Sequence, residues 1–121
     1  MKKLANKHLG GDKLKDLLVS TKPVLLEVRE DQSCCSHLIA PVISCIENEF
    51  DNSIKVVRID YESHKEFLQK LNVESYPTIV LLKGGKVLKQ INGTISRGNL
   101  KSLVKELLNH QNWFAGWNYN E

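Results

Sequence analysis

Two apolar stripes at helical spacing lie in the first half of the chain. In the first, three leucines follow Asp12, a residue type that caps the N-termini of helices. A broader stripe runs from Leu38 to Phe50 and contains Pro41. Because the stripe resumes after the proline, we expect Pro41 to kink this second helix without ending it.

Two further helices are predicted in the second half, each with its own start signal. Ser63 and Glu66 have the spacing of a capping box, in which each side chain accepts a backbone N–H of the other residue. Ser96 is a predicted N-cap for the last helix, whose apolar stripe runs from Leu100 to Leu108.

Short apolar runs of strand length separate these helices. Val24–Val28 is almost wholly apolar, which predicts a strand that is buried on both faces. Two more strands are predicted at 54–59 and 78–82. Gly84-Gly85 then forms a hairpin turn, and residues 86–91 alternate as an edge strand does.

The order of these elements predicts an α/β fold. The first half favours parallel strands joined by helices, and the second half favours an antiparallel pair. We therefore expect a mixed sheet of four to five strands with helices on both faces. The residues predicted to be mostly buried are Leu26, Val28, Ile39, Val42, Ile43, Ile59, Phe67, Ile79, Leu81 and Leu103.

Length and composition fit a single domain. The 121 residues are 41% hydrophobic and 26% charged, enough for one core and unlike a disordered chain. The net charge of +3 is small and spread along the chain, so neither nucleic acid nor membrane is expected as a partner. No apolar run approaches the about 20 residues that span a bilayer, and none follows Lys2-Lys3 as in a signal peptide. A cytoplasmic location is expected.

The chain's three cysteines, Cys34, Cys35 and Cys45, are the candidate reactive groups. They are too few for a disulfide scaffold. Adjacent Cα atoms are about 3.8 Å apart, below the about 4.4–6.8 Å of ordinary disulfides, so a Cys34–Cys35 bridge would be strained. Cys34 and Cys45 are separated by about 16 Å along one predicted helix and cannot bridge within a monomer. Cys45 is expected to be a half-buried small hydrophobe.

The segment from Ser33 to Pro41 resembles the active-site segment of the thioredoxin family, in which a tryptophan and C-G-P-C precede a helix containing I-A-P. The resemblance covers about residues 12–108. It implies a thioredoxin-like fold with Pro77 in a cis-proline turn, a domain over residues 1–109, and an additional C-terminal tail over 110–121. The other matching landmarks are Glu27 for the buried acid, Arg58 for the lysine near it, Tyr76-Pro77-Thr78 for the cis-proline turn, Lys83–Val87 for the hairpin, Asn92-Gly93 for the glycine loop and Ser96–Leu100 for the last helix start.

The active-site motif itself departs from the family pattern. In the register set by I-A-P, Ser33 and Ser36 replace the two family cysteines, while Cys34 and Cys35 stand between them. The tryptophan before the motif is Gln32. A dithiol mechanism needs a second thiol about one turn away, and no two cysteines have that spacing.

A monothiol mechanism is the remaining redox hypothesis, with Cys34 and Cys35 as candidate catalytic residues. The positive end of the helix dipole favours a thiolate at Cys34, and His37 could add a cation when protonated. The alternative is that both thiols are incidental and His37 is a solvated helix residue. A metal site is disfavoured, because the nearby cysteines and histidine lack a second ligand pair. No cofactor is expected.

A carboxylate within an apolar strand must be paired or neutral, so Glu27 needs a partner, and Arg58 on the neighbouring strand could provide it. The resemblance implies a proton relay through Glu27, but arginine keeps its charge, so a structural ion pair is favoured. The resemblance also implies that Tyr76, Pro77 and Gly93 bind an extended polypeptide.

Two functions follow as hypotheses. The first is thiol–disulfide exchange through the atypical Cys34-Cys35 site, as a weak or monothiol protein-disulfide oxidoreductase. Its partners would be client proteins or peptides and a reductant, such as a thioredoxin reductase or a low-molecular-weight thiol. The alternative is a redox-inactive module that binds protein at the Tyr76-Pro77 face. The tail holds both tryptophans, and we expect it to pack on the domain or to mediate self-association.

Overall fold

The computed structural model describes residues 20–30 and 34–109, and for residues 34 and 35 it describes the backbone alone. The predicted first helix and the aromatic tail lie outside the described residues.

Four strands form one mixed sheet in the described part of the chain. They are β1 (Val24–Arg29), β2 (Lys55–Asp60), β3 (Thr78–Lys83) and β4 (Lys86–Asn92). Their order is β2-β1-β3-β4, with β1 parallel to β2 and antiparallel to β3, and with β3 antiparallel to β4. The predicted α/β fold with a mixed sheet is therefore confirmed, with β1 between two neighbours.

Three helices pack on the two faces of this sheet. Helix α1 (Cys34–Glu49) includes Pro41 and continues past it, and it shares one core cluster with α3 (Arg97–Asn109). Helix α2 (Lys65–Lys70) follows a 3₁₀ turn over Glu62–His64 and contributes to the cluster on the other face. The alternating side chains of β1 divide between these clusters, because successive residues of a strand point to opposite faces.

Helix α2, the third helix of the sequence prediction, begins differently from that prediction. The prediction of a capping box between Ser63 and Glu66 is wrong. The Asp60 carboxylate instead accepts both the Ser63 N–H and the Ser63 hydroxyl, each at 3.0 Å. An aspartate at the end of a strand can bond to backbone two or three residues ahead. Asp60 therefore holds the serine in a 3₁₀ turn, and α2 begins two residues later.

Two local signals gave the correct structure. Ser96 accepts the Asn99 N–H at 3.1 Å, as an N-cap does. Gly84 and Gly85 both have positive φ, 62° and 80°, in the turn between β3 and β4. Two-residue hairpin loops with this backbone match the twist of the strands, and glycine adopts it without a steric cost.

The predicted core is mostly correct. Seven of its ten residues are buried, while Val42, Phe67 and Leu103 are only partly buried against the two clusters. The three partial cases all lie on helices, where the apolar stripe is wider than the face that contacts the sheet.

We expect Ile43→Ala to lower the free energy of unfolding by about 2–5 kcal/mol, because Ile43 is fully buried between α1 and the sheet. Urea denaturation would measure the loss. Leu38→Ala on the same helix is the matched control, since 66% of Leu38 is exposed and little contact is removed. A loss at Ile43 below about 0.5 kcal/mol, the range of surface substitutions, would contradict the position of α1.

Candidate functional site

The candidate site lies at one edge of the sheet, where several loops meet. Val28 near the end of β1 pairs with Thr78 at the start of β3, and Thr78 pairs with Asn92 at the end of β4. The loops that carry Tyr76-Pro77 and Gly93 therefore lie at the edge where the chain leaves β1 for α1. The Gly93 N–H donates to the Pro77 carbonyl at 2.8 Å, and the Tyr76–Pro77 peptide bond is cis.

All three cysteines lie on helix α1, which fixes how far apart they are along the helix axis. It begins at Cys34 and is helical through Cys35 and Cys45. Helical backbone at Cys34 and Cys35 does not suit a bridge between neighbouring residues, since their Cα atoms are about 3.8 Å apart. Cys45 is a free thiol about 16 Å further along the helix axis. Its expected half-burial is wrong, because it is exposed, on the solvent side of the stripe.

Ser36 lies inside the protein at the first turn of α1. The residue is fully buried, and its hydroxyl accepts the Glu30 N–H at 3.1 Å. This bond ties the chain leaving β1 to the beginning of the helix. His37, the next residue, is exposed. Sequence reasoning identified the replacement of a family cysteine at this position but not the structural role of the hydroxyl.

Glu27 and Arg58 form the ion pair that the sequence suggested. Glu27 is fully buried in β1, and Arg58 in β2 is only 5% exposed. Arg58 Nε lies 3.1 Å from Glu27 Oε1. The contact is an ion pair, and within the described part of the chain neither Glu27 carboxylate oxygen accepts a well-aligned hydrogen bond.

Arg58 also contacts α1, which the sequence did not predict. Its Nη1 lies 3.0 Å from Glu47 Oε1, and its Nη2 donates to Ser44 Oγ at 3.4 Å. Ser44 and Glu47 are three residues apart and so lie on one face of the helix. The signal that could have found them is this spacing of two polar residues beside the apolar stripe.

An exposed aromatic pair flanks the cis-proline turn. Tyr76 is 39% exposed, and its ring centroid lies 5.3 Å from that of Tyr61, with the planes tilted by 58°. Lys65 Nζ lies 5.9 Å from the centroid of the Tyr61 ring. The sequence pointed to Tyr76 but not to Tyr61. Tyr61 directly follows β2, and because β2 is parallel to β1, Tyr61 lies at the same edge of the sheet.

Comparison with known proteins identifies the fold family. The model of the thioredoxin family matches residues 8–106. The chain belongs to the thioredoxin family. Over 85 residues it is 32% identical to the bifunctional thioredoxin reductase/thioredoxin of Mycobacterium leprae, covering 70% of this chain and 19% of that protein.

Two relatives named as thioredoxins are matched over most of their length. Thioredoxin C-2 of Corynebacterium nephridii is 28% identical over 91 residues, which cover 75% of this chain and 84% of that protein. The thioredoxin of Synechocystis is 25% identical over 93 residues, 77% of this chain and 87% of that protein. Membership of the thioredoxin family supports a general role in thiol–disulfide redox chemistry.

Within the thioredoxin fold, the environment of Glu27 opposes its charge. Burial raises the pKa of the Glu27 carboxyl, and the nearby cations of Arg29 and Arg58 offset this increase only in part. The hydroxyl of Ser36 stands where the resemblance places the buried thiol. A serine hydroxyl is not a nucleophile without an activating base, so a proton moved by Glu27 has no thiol to serve at this position.

Within the described side chains, which do not include those of Cys34 and Cys35, no three of His, Cys, Asp and Glu are grouped as metal ligands. In the described ranges no helix has the length and apolar character needed to cross a membrane.

We expect the stability of Glu27→Gln, relative to the unchanged protein, to increase as pH rises. The folded pKa of Glu27 is above its ordinary value of 4.5, so its contribution to stability is complete below that value. This contribution is lost as pH rises through the folded pKa, and glutamine has no such loss. The change can reach at most about 1.4 kcal/mol per pH unit.

Urea unfolding of both proteins between pH 4 and pH 9 would measure this dependence. Glu66→Gln, which neutralises an exposed glutamate of α2, is the matched control. A stability difference between Glu27→Gln and the unchanged protein that stays constant, or falls, with rising pH would show that Glu27 is not held in an environment that opposes its charge.

Proposed function

We propose that this protein carries out thiol–disulfide exchange with one nucleophilic thiol, Cys34, and binds client polypeptide at the Tyr76-Pro77 face. The observation that carries the proposal is the position of Ser36. In the register that the resemblance implies, Ser36 stands at the second family cysteine; Ser36 is buried, and α1 begins at a cysteine two residues earlier. The chemistry is therefore that of a weak, monothiol protein-disulfide oxidoreductase.

The start of α1 supports a reactive thiol at residue 34. The first backbone N–H groups of a helix have no partner within it, and together with the helix dipole they stabilise a negative charge. His37 is exposed one turn later and adds a positive charge when protonated. Both effects favour the Cys34 thiolate, and Cys35 is the neighbouring candidate nucleophile.

The exchange proceeds through a mixed disulfide. The Cys34 thiolate attacks one sulfur of a client disulfide, a new S–S bond forms, and the client's S–S bond breaks. The departing client sulfur leaves as a thiolate and takes a proton from solvent. Since neither Cys35 nor Cys45 can form an ordinary disulfide with Cys34, release requires an external thiolate. A low-molecular-weight thiol in a reducing compartment, such as the cytoplasm, or a thioredoxin reductase would supply this thiolate.

A second candidate function is a redox-inactive module that binds protein chains. The exposed side chains of Leu38 and Tyr76 favour it, because large apolar groups at one edge of a domain provide a binding surface without any thiol. Pro77 and Gly93 form the backbone of this surface in either case.

We expect glutathione disulfide to modify Cys34 faster than a free thiol at pH 7, and the mixed disulfide to persist until dithiothreitol is added. Intact-mass measurements over time would give the rate. Cys34→Ser should abolish the rapid phase, and Cys45→Ser, which removes the exposed thiol further along α1, should leave it unchanged. Cys35→Ser tests which neighbour is the nucleophile.

The pH dependence of iodoacetamide alkylation separates the two functions. A reactive Cys34 should have a pKa below the about 8.5 of a free thiol. Suppose instead that Cys34 alkylates no faster than free cysteine, and that Cys34→Ser binds client peptides as well as the unchanged protein does. The enzymatic function would then be excluded, and the binding module would remain.

A further inference from the structure

We propose that the Tyr76 ring binds a cationic side chain, arginine or lysine, of an extended client peptide. This inference names the client class of the proposed function. It rests on the proposed client-binding face but not on the thiol chemistry. Two observations carry it: the geometry of the Tyr61–Tyr76 pair and the charges beside it.

The Tyr76 ring is accessible and held in place. It is 39% exposed beside the cis-proline turn, and the partly buried Tyr61 ring supports it at 5.3 Å. Tyr61 itself packs against the core cluster on the α2 face of the sheet. A ring fixed from one side offers the rest of its surface to a ligand with little loss of side-chain freedom.

The neighbouring ring already has a cation beside it. Lys65 Nζ lies 5.9 Å from the Tyr61 centroid, within the about 6 Å at which a cation is attracted to the face of an aromatic ring. Glu62 holds this lysine through an ion pair of 3.1 Å. Lys65 thus has an aromatic ring and a carboxylate beside it. A client cation on Tyr76 would reproduce the contact between the cation and the ring.

The charge of this segment also favours a cation. The segment that begins with Asp60 and ends with Pro77 contains four carboxylates, Asp60 included, and two lysines. Its net charge is −2, in a chain whose net charge is +3. Glu74 is exposed and stands two residues before Tyr76. One of the two lysines is Lys65, which is paired with Glu62. A basic peptide therefore gains more from the charge of this segment than an acidic one does.

Cysteine-free peptides provide a test that does not depend on thiol chemistry. We would compare peptides with one central arginine, citrulline or norleucine in a serine- and glycine-rich sequence, by NMR titration of the isotopically labelled protein. Citrulline keeps the shape of arginine and removes its charge. The arginine peptide should bind about three- to ten-fold more tightly than the citrulline peptide, less so at high salt. The shifted signals should centre on Tyr61 and Tyr76.

Variants assign the preference to the ring. Tyr76→Phe should keep the preference for arginine and Tyr76→Leu should lose it, because only an aromatic face attracts the cation. Lys65→Gln should bind the arginine peptide more tightly than the unchanged protein, since it uncovers Tyr61 and leaves Glu62 unneutralised. Lys22→Gln, at the opposite edge of the sheet, removes the same charge and should have a much smaller effect. The spectra themselves show whether each variant is folded.

Several results would overturn the proposal. Equal binding of the arginine and citrulline peptides would exclude a charge-dependent site, and tighter binding of norleucine would indicate an apolar one. An arginine preference that survives in Tyr76→Leu would place the cation elsewhere. Weaker binding of arginine by Lys65→Gln would mean that the lysine supports the site. None of these results would bear on whether Cys34 exchanges disulfides.

Discussion

A carboxylate in the central strand of a sheet must find a cation without leaving the core, and Arg58 meets this requirement for Glu27. The same guanidinium contacts Glu47 and Ser44 on α1, so one side chain joins β1, β2 and the helix above them. A buried ion pair contributes little net stability compared with apolar packing, but it strongly disfavours arrangements that separate its members. The contacts of Arg58 with Glu47 and Ser44 link α1 to this pair, and the position of α1 decides which of its residues lie at the candidate site.

The position of α1 buries one residue of its first turns, Ser36, and leaves the next two exposed. Ser36 turns inward and its hydroxyl accepts the Glu30 N–H, while His37 and Leu38 are exposed at the edge of the sheet that carries Tyr76 and Pro77. The helix begins at Cys34 beside that edge. A thiolate on the first residue of a helix is stabilised by the positive end of the helix dipole.

The fold could be predicted from the sequence because the spacing of apolar residues changes with each element, and the order of elements limits the topology. The polar contacts could not. The Asp60 and Glu66 carboxylates are rival acceptors for the Ser63 N–H, and sequence spacing alone does not show which one accepts it. The Tyr61–Tyr76 contact joins two loops that meet only when β1, β2 and β3 are side by side. The Glu47 contact with Arg58 depends on the rotation of α1, which an apolar stripe fixes only within about one residue.

The resemblance implies that Arg58 and Ser36 stand where the family has a lysine and a cysteine. Lysine can release a proton when buried and arginine keeps its charge, so Arg58 cannot exchange protons with Glu27. Ser36 does not ionise in place of a thiol. Glu27 is thus a carboxyl whose pKa is raised by burial and whose ion-pair partner is an arginine. Protonation of Glu27 would affect the stability of the fold without driving chemistry at Ser36. Any thiol chemistry must then draw on other groups at this edge of the sheet, which include the N-terminus of α1 and the exposed His37.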